Sequence, residues 1–260
     1  MRSGKAALLC GLAALSILLT ACSKEDDQAA VHRGLGNDLA RKGDWAGAVK
    51  EYGLAADANP KDRKIWELKA NAYVRLGQVK EAAESLAKPA EYTTDPAAKA
   101  EIYRLVAAMY VDQKEFDSAE KAFAEALKFD PKDENSLSWL GEIASARGGA
   151  RSMTAPPDGV QLMKAIAYYD KAIAVNPENI FSYVNKRIAI TKYVLLEEEE
   201  KAQAAKLVQL EKKDASKAAA QTRLTESTTR LEGFKKEIEQ LTMKIKELQA
   251  AQKAKKAKES

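Results

Sequence analysis

The chain has 260 residues, of which 31% are charged and 7% aromatic, and its formal net charge is +4 at pH 7. This near balance of charge excludes the strong basic field typical of nucleic-acid-binding proteins, so we expect no nucleic-acid partner. One histidine and two cysteines leave too few side chains for the common zinc sites or for a nucleophile paired with histidine. We therefore predict a non-enzymatic protein with no catalytic residues, no metal and no cofactor, and we interpret His32 as a packing residue.

The first 21 residues have the pattern of an export signal. Arg2 and Lys5 precede an apolar run, residues 6–19, which is too short for a transmembrane helix and typical of a secretory signal core. The run ends in Leu-Thr-Ala followed by Cys22. This ending resembles the signal of bacterial lipoproteins, and the resemblance implies cleavage after residue 21 and attachment of acyl chains such as palmitate to Cys22. The alternative is an ordinary signal peptide that is cleaved before a chance cysteine.

Lipidation of Cys22 would place the protein at a membrane. Several acyl chains on one residue hold a protein firmly, so no segment then has to span the bilayer. Residues 22–28 are polar and are expected to form a short tether. Ser23 stands where, in enteric bacteria, an aspartate would favour the inner membrane. The resemblance therefore implies the periplasmic face of the outer membrane in preference to the inner membrane.

One spacing of apolar and small residues recurs between residues 45 and 177. A large residue is followed by alanine after three positions, a large residue after four, alanine after three and proline after five. The copies are Trp45, Ala48, Tyr52, Ala55 and Pro60; Phe116, Ala119, Phe123, Ala126 and Pro131; and Leu162, Ala165, Tyr169, Ala172 and Pro177. A shorter copy is Val79, Ala82, Leu86 and Pro89. Intervals of three and four place these residues on one face of a helix, where alanine lets a second helix approach closely.

This pattern resembles the tetratricopeptide repeat family, whose helix-turn-helix unit recurs about every 34 residues. Trp45 and Val79 are 34 residues apart. The resemblance covers residues 29–177, and it implies an all-α fold in which about four repeats stack into a superhelix. Residues 178–196 are expected to close the array as a capping helix.

Residues 148–159 interrupt the fourth repeat. Their glycines and adjacent prolines predict an irregular loop between the two helices of that repeat. Three interpretations stay open, because such a loop can be passive, can cover the groove of the repeats or can contact a partner.

The family resemblance also implies a groove that binds protein partners, lined by the first helix of each repeat. Projecting the family's inner-face positions onto this chain gives the groove residues Arg33, Asn37, Arg41, Lys64, Glu67, Asn71, Arg75, Glu101 and Arg104, followed in the fourth repeat by Asn135, Ser138 and Glu142. Asn37 and Asn71 are equivalent, and amides can hold the backbone of an extended peptide. A carboxylate clamp is disfavoured because Leu68 and Glu101 stand where the clamp has asparagine and lysine. A merely solvated groove is the other interpretation.

Residues 197–260 carry a second apolar pattern. Large apolar residues lie at heptad spacing as Leu224, Leu231, Phe234, Ile238, Leu241, Ile245 and Leu248. This spacing predicts a coiled-coil stripe. We expect one long C-terminal helix of about 100 Å with a lysine-rich end, because no turn residues interrupt it. The alternative is an antiparallel hairpin that turns near residues 212–217. An exposed stripe would favour a homo-oligomer or another protein partner.

Two functions are compatible with these features. The first is a lipid-anchored, non-enzymatic scaffold of the bacterial cell envelope, which resembles the tetratricopeptide lipoproteins that assist pilus, secretin or envelope assembly. The second is a structural spacer, in which the C-terminal coil reaches from the outer membrane toward peptidoglycan.

The lipid anchor can be tested at a single atom. Cys22→Ala removes the thiol that would receive lipid, so we expect an uncleaved or soluble protein that takes up no fatty-acid analogue during metabolic labelling. Cys10→Ala is the matched control, because Cys10 lies within the predicted signal segment, and this variant should be labelled like the wild type. Labelling that persists in the Cys22 variant would contradict the assignment.

Overall fold

The computed structural model describes residues 27–152, 156–211 and 213–259. The predicted signal, Cys22 and most of the predicted tether lie outside the described residues. Within them the chain is helical and contains no strand. The helices are α1 (27–41), α2 (Trp45–Ala58), α3 (Arg63–Arg75), α4 (Val79–Ala87) with a 3-10 turn (Lys88–Glu91), α5 (Pro96–Asp112), α6 (Phe116–Phe129), α7 (Glu134–Arg147), α8 (Gly159–Val175), α9 (Ile180–Leu210) and α10 (Asp214–Glu259). The predicted all-α class is confirmed.

Acidic or amide side chains precede and cap six of the described helices. Each of them accepts a hydrogen bond from a backbone amide two or three residues later, and this satisfies a donor that the helix leaves unpaired. The capping residues are Asp44, Asp62, Asp95, Asp133, Asp158 and Asn179. We call the five residues of each copy of the recurring spacing its landmarks, and the fifth is the landmark proline. In three of the turns the capping residue lies two positions after this proline, as Asp62 does after Pro60. The proline ends one helix and the cap starts the next.

The landmark residues of the repeats form the packed interior. The alanine and large residues at the second, third and fourth landmark positions are at most 2% exposed in three repeats, namely Ala48, Tyr52, Ala55, Ala119, Phe123, Ala126, Ala165, Tyr169 and Ala172. Small residues at these positions allow the helices of a pair to approach closely. The spacing found in the sequence therefore marks the buried face of each second helix.

The chain forms two compact units, which divide between Ala122 and Phe123. In the first unit, α2 packs on α3 and α4 packs on α3 and α5. Its core contains Ala55, Ile65 and Trp66, and the indole N–H of Trp66 donates to the carbonyl oxygen of Pro60 at 2.9 Å. This bond connects the landmark proline to the helix that follows it.

The second unit is built from α7, α8, α9 and α10. Its core joins side chains of all four helices, with Ala144 from α7, Tyr169 from α8, Ile190 from α9 and Leu241 from α10. The fourth repeat and the C-terminal segment therefore share one core.

The predicted long C-terminal helix is present as α10, but it packs against α9, so the segment is the antiparallel hairpin of the alternative interpretation and not one continuous helix. Helix α9 continues through the boundary predicted at residues 196 and 197 and ends at Leu210, and α10 begins at Asp214 and packs along it. The chain leaves α9 at Glu211, whose φ of −74° and ψ of 127° are extended. Such values are open to any residue, and the reversal therefore needs neither glycine nor proline.

Burial of the heptad stripe explains the reversal. Leu231, Leu241, Ile245 and Leu248 are between 3% and 8% exposed, while Leu224, Phe234 and Ile238 are half-buried. Each buried leucine or isoleucine contributes about 1.5–3 kcal/mol relative to an exposed one, and this outweighs the cost of ordering a short turn. The stripe was expected to be exposed, and in the structure it is covered within the chain.

Charged pairs fix the register of the hairpin. The buried carboxylate of Glu197 accepts from Arg230 at 2.9 Å and from the hydroxyl of Ser227 at 3.1 Å. The buried ammonium of Lys186 on α9 lies between Asp170 on α8 and Glu237 on α10. Burial alone would lower the pKa of Lys186, but the two carboxylates raise it above its ordinary value. A slipped register would leave the buried charges of Glu197 and Lys186 without partners.

Among the described residues, none of the helices is both long enough and apolar enough to cross a membrane.

Because α9 covers one face of α10, aspartate substitutions at two nearby positions of α10 are expected to change the free energy of unfolding by different amounts. Leu241 is 7% exposed and Met243 is 72% exposed. Leu241→Asp removes a buried apolar side chain and buries a carboxylate, so we expect it to lower the free energy of unfolding by about 3 kcal/mol or more. Met243→Asp should change it by less than about 0.5 kcal/mol. Urea unfolding followed by circular dichroism measures both values.

An intermolecular coil would give another result. If the stripe joined two chains, Leu241→Asp would dissociate an oligomer in light scattering and leave the stability of the subunit unchanged. We expect wild type and both variants to have the mass of one chain.

Candidate functional site

The first unit contains a groove between the first two repeats, on the face that α1 and α3 present. A cavity of about 640 Å³ lies in it, and its lining combines an apolar floor with amide and guanidinium groups. The lining residues are Asn37, Ala40, Arg41, Trp45, Tyr52, Leu68 and Asn71. Both predicted asparagines, Asn37 and Asn71, therefore reach one cavity.

A close contact between α1 and α2 positions Asn37. A Cβ atom placed on Gly36 would lie 2.5 Å from Cε1 of Tyr52, so only glycine leaves room for the ring. The hydroxyl of Tyr52 donates to Oδ1 of Asn37 at 2.9 Å. Burial raises the pKa of Tyr52, which keeps the phenol neutral and able to donate. This bond fixes the orientation of the amide and does not use its NH₂ group.

The fourth repeat uses the same arrangement. A Cβ atom on Gly141 would lie 2.7 Å from Cε1 of Tyr169, and the Tyr169 hydroxyl donates to Oε2 of Glu142 at 3.2 Å. Burial and the neighbouring carboxylate of Glu142 raise the pKa of Tyr169. Glycine, tyrosine and the residue after the glycine thus form one structural unit in both repeats.

The floor of the groove is apolar and aromatic. Leu68 packs on the cluster of Ala48, Tyr52 and Ala72. The guanidinium of Arg75 lies 5.5 Å from the ring centroid of Trp45, which is a cation–π contact. Trp45 and Tyr52 were not expected in the groove, because the repeat pattern marks them for packing, while Leu68 was expected at a clamp position and not as part of an apolar floor. Their position at the edge of the buried face was the signal that could have found them.

Arg63 balances the acids of the groove. Its guanidinium pairs with Glu67 at 2.9 Å and with Glu101 at 3.1 Å, and so links α3 to α5. Hydrogen bonding to Glu101 raises the pKa of Arg63, and Arg63 together with nearby Arg104 lowers the pKa of Glu101. The sequence analysis missed Arg63, although its spacing of four from Glu67 is typical of helical ion pairs.

The remaining predicted groove residues lie on the expected helices. Arg33 pairs with Asp62, the capping residue of α3, at 3.0 Å, and Arg41 pairs with Asp38. Lys64, Asn71 and Arg75 are exposed on α3, and Arg104 is half-buried on α5. His32 is half-buried and its ring Nδ1 lies 2.8 Å from Glu51, so it takes part in a local pair.

The insertion covers the corresponding face of the fourth repeat. Arg151 pairs with Glu142 and donates to Oδ1 of Asn185 on α9 at 2.6 Å. Ser138 lies 3.2 Å from the hydroxyl of Ser182. The polar side chains on this face therefore bind one another, and of the three interpretations of the insertion the described part of it favours a cover. No group of histidine, cysteine and acidic residues within the described chain could hold a metal ion.

Paired helices with buried small and aromatic landmarks, together with a polar groove on the first helices, define a helical-repeat protein. Models of the tetratricopeptide repeat match residues 33–99 and 100–133. Residues 33–133 therefore carry tetratricopeptide repeats.

Curated relatives match slightly more than half of the chain. The chain is 28% identical over 141 residues to Hsp70-Hsp90 organizing protein 1 of Glycine max, and 27% identical over 150 residues to Hsp70-Hsp90 organizing protein 3 of Arabidopsis thaliana. These matches cover 54% and 58% of this chain but 24% and 26% of the relatives. The chain thus spans about a quarter of the length of these relatives.

A solved structure extends the likeness in fold. The crystal structure of a TPR repeats protein from Bacteroides fragilis NCTC 9343 matches with a TM-score of 0.59 and 17% identity. The match covers 87% of this chain and 98% of the other. The helical-repeat fold is therefore shared well beyond the segments that the family models match.

Two glycines of α1 test how Asn37 is positioned. Gly36→Ala would force the Tyr52 ring away, so we expect it to lower the free energy of unfolding by about 1–3 kcal/mol. Gly34→Ala is the matched control, since nothing lies within 4 Å of its added Cβ atom. In a helix interior this change should stabilise by about 0.5–1 kcal/mol. Equal effects of the two variants in urea unfolding would contradict the packing described here.

Proposed function

We propose that this chain is a non-enzymatic scaffold that binds an extended segment of a partner protein in the groove of its first unit. The observation that carries the proposal is that Asn37 and Asn71, at equivalent positions of successive repeats, line one cavity with an apolar floor. An amide can donate to a backbone carbonyl and accept from a backbone N–H at the same time. Two such amides can hold an extended backbone while the floor receives a side chain.

The charges around the cavity favour a segment with an apolar side chain at its centre. Of the described residues that line the cavity, Arg41 is the one cation and none is a carboxylate, and Arg41 is already paired with Asp38. Trp45 and Leu68 offer apolar area, which supplies most of the affinity in sites of this kind. Recognition would then depend on backbone hydrogen bonds and on one buried side chain.

The relatives support a protein partner. Two of them are named as organizing proteins of Hsp70 and Hsp90, which are themselves proteins. The binding chemistry here would differ from a carboxylate clamp, because Leu68 presents an apolar side chain and Glu101 an ion-paired carboxylate at the clamp positions. We therefore propose a different protein segment as the ligand.

We further propose that the scaffold acts at the cell envelope, held by lipid on Cys22 at the periplasmic face of the outer membrane, where it assists assembly of a pilus, secretion or envelope complex. The support is the apolar run of residues 6–19 followed by Leu-Thr-Ala-Cys. The spacer function has lost its main support, because α10 runs back along α9 and does not extend the segment.

Site-specific crosslinking tests the groove. A photoreactive residue at Arg41, whose side chain is 78% exposed beside the cavity, should form an adduct with a partner in intact cells. The same residue at Lys80, 84% exposed on α4 and outside the cavity lining, is the matched control and should form none. Asn37→Ala with Asn71→Ala should reduce the adduct at position 41 by at least about fivefold, because the two amides that hold the backbone are gone.

Two outcomes would refute the groove. One is an equal adduct from positions 41 and 80, and the other is an adduct at position 41 that the two alanines leave unchanged. Circular dichroism of the double variant should match the wild type, since both asparagines lie at the surface of the cavity.

A further inference from the structure

A second cavity of about 480 Å³ lies in the second unit, between the insertion, α9 and α10. Neither the insertion nor the hairpin belongs to the repeat pattern, so this cavity is separate from the groove of the repeats. Among the described residues, three cations line it, namely Arg151, Arg187 and Lys192, and no carboxylate does.

Two of these cations bind only neutral groups. Arg187 donates to the hydroxyl of Thr242 at 3.3 Å, and Lys192 donates to the carbonyl oxygen of Ser152 at 2.9 Å. Within the described chain neither forms an ion pair, whereas Arg151 is paired with Glu142. Half-buried positive charges without a counter-charge attract a negatively charged ligand.

The floor between these cations is apolar. Ile188 and Leu195 come from α9 and Ile238 from α10. Leu195 is 52% exposed, while the other two are half-buried. An apolar floor beside a few fixed polar groups is typical of a site that binds a side chain together with a neighbouring charge.

We propose that this cavity binds a short acidic segment of a partner protein, with one apolar side chain on the floor and an adjacent carboxylate held by Arg187 and Lys192. The positive charge of the lining favours a carboxylate in the ligand, and the apolar floor favours an apolar side chain next to it. A membrane surface or a nucleic acid would extend past the cavity and meet the exposed carboxylates of Glu198 and Glu199, one turn further along α9. A short segment avoids them.

Fluorescence anisotropy with the full chain tests this site. The probe is a pool of labelled decapeptides made of leucine, phenylalanine and glutamate, and the control pool has glutamine in place of glutamate. We expect the acidic pool to bind and the control pool to bind at least tenfold more weakly. Arg187→Gln with Lys192→Gln, and separately Leu195→Asp, should each weaken binding at least tenfold.

Matched variants separate this site from the rest of the molecule. Lys201→Gln with Lys206→Gln removes the same charge from α9 outside the cavity and should keep binding within twofold. Asn37→Ala with Asn71→Ala should do the same, so the result does not depend on the groove of the first unit. Leu195 is exposed, and its variant should keep the wild-type melting temperature.

Four outcomes would overturn the proposal: no binding of the acidic pool, equal binding of the glutamine pool, unchanged binding by the Arg187 and Lys192 variant, or loss of binding with both control variants. Vesicles containing phosphatidylglycerol form a further arm. Binding of vesicles through Arg187 and Lys192, without binding of peptides, would assign the cavity to a lipid headgroup instead.

Discussion

The close approach of the two helices of a repeat depends on complementary side-chain sizes, with glycine on one helix opposite a tyrosine ring on the other. At Gly36 and at Gly141 the first helix lacks a side chain, and a tyrosine of the second helix fills the space. The same tyrosine then reaches the residue after the glycine with its hydroxyl. Packing and site geometry therefore depend on one contact, because a residue that closed the gap would displace both the ring and the polar side chain that the ring orients.

Sequence spacing predicts those features that lie within one helix pair. The landmark alanines and prolines and the helices follow from intervals of three and four, which any helix obeys, whereas the two equivalent asparagines follow from the family resemblance. The contributions of Arg63 and Leu68 to the groove could not be predicted in the same way, since they depend on which neighbouring helix each side chain meets. The contact of Arg151 with Asn185 joins residues 34 positions apart and has no local pattern.

The C-terminal hairpin shows why an apolar stripe alone does not identify its partner. The heptad spacing correctly marks the residues of α10 that need to be buried, and Leu231 and Leu241 are buried. Whether a stripe is covered by a second chain or by its own chain depends on the turn, and three residues without glycine or proline are sufficient for it. The structure supplies what the spacing cannot, because the buried carboxylate of Glu197 on α9 accepts from the exposed Arg230 on α10 and this pairing requires one defined register.

The two repeats that share the glycine and tyrosine arrangement differ in the residue that accepts from the tyrosine hydroxyl. This difference accounts for the ion pair that the insertion forms with the fourth repeat. In the first repeat the acceptor is Asn37, which is neutral and needs no counter-ion, so the groove beside it stays open to a ligand. In the fourth it is Glu142, whose carboxylate is 22% exposed and costs free energy unless a cation balances it. Arg151 supplies that cation from the insertion and closes the face. The groove beside the amide of Asn37 is therefore open to a ligand, whereas the face beside the carboxylate of Glu142 is occupied by Arg151 of the same chain.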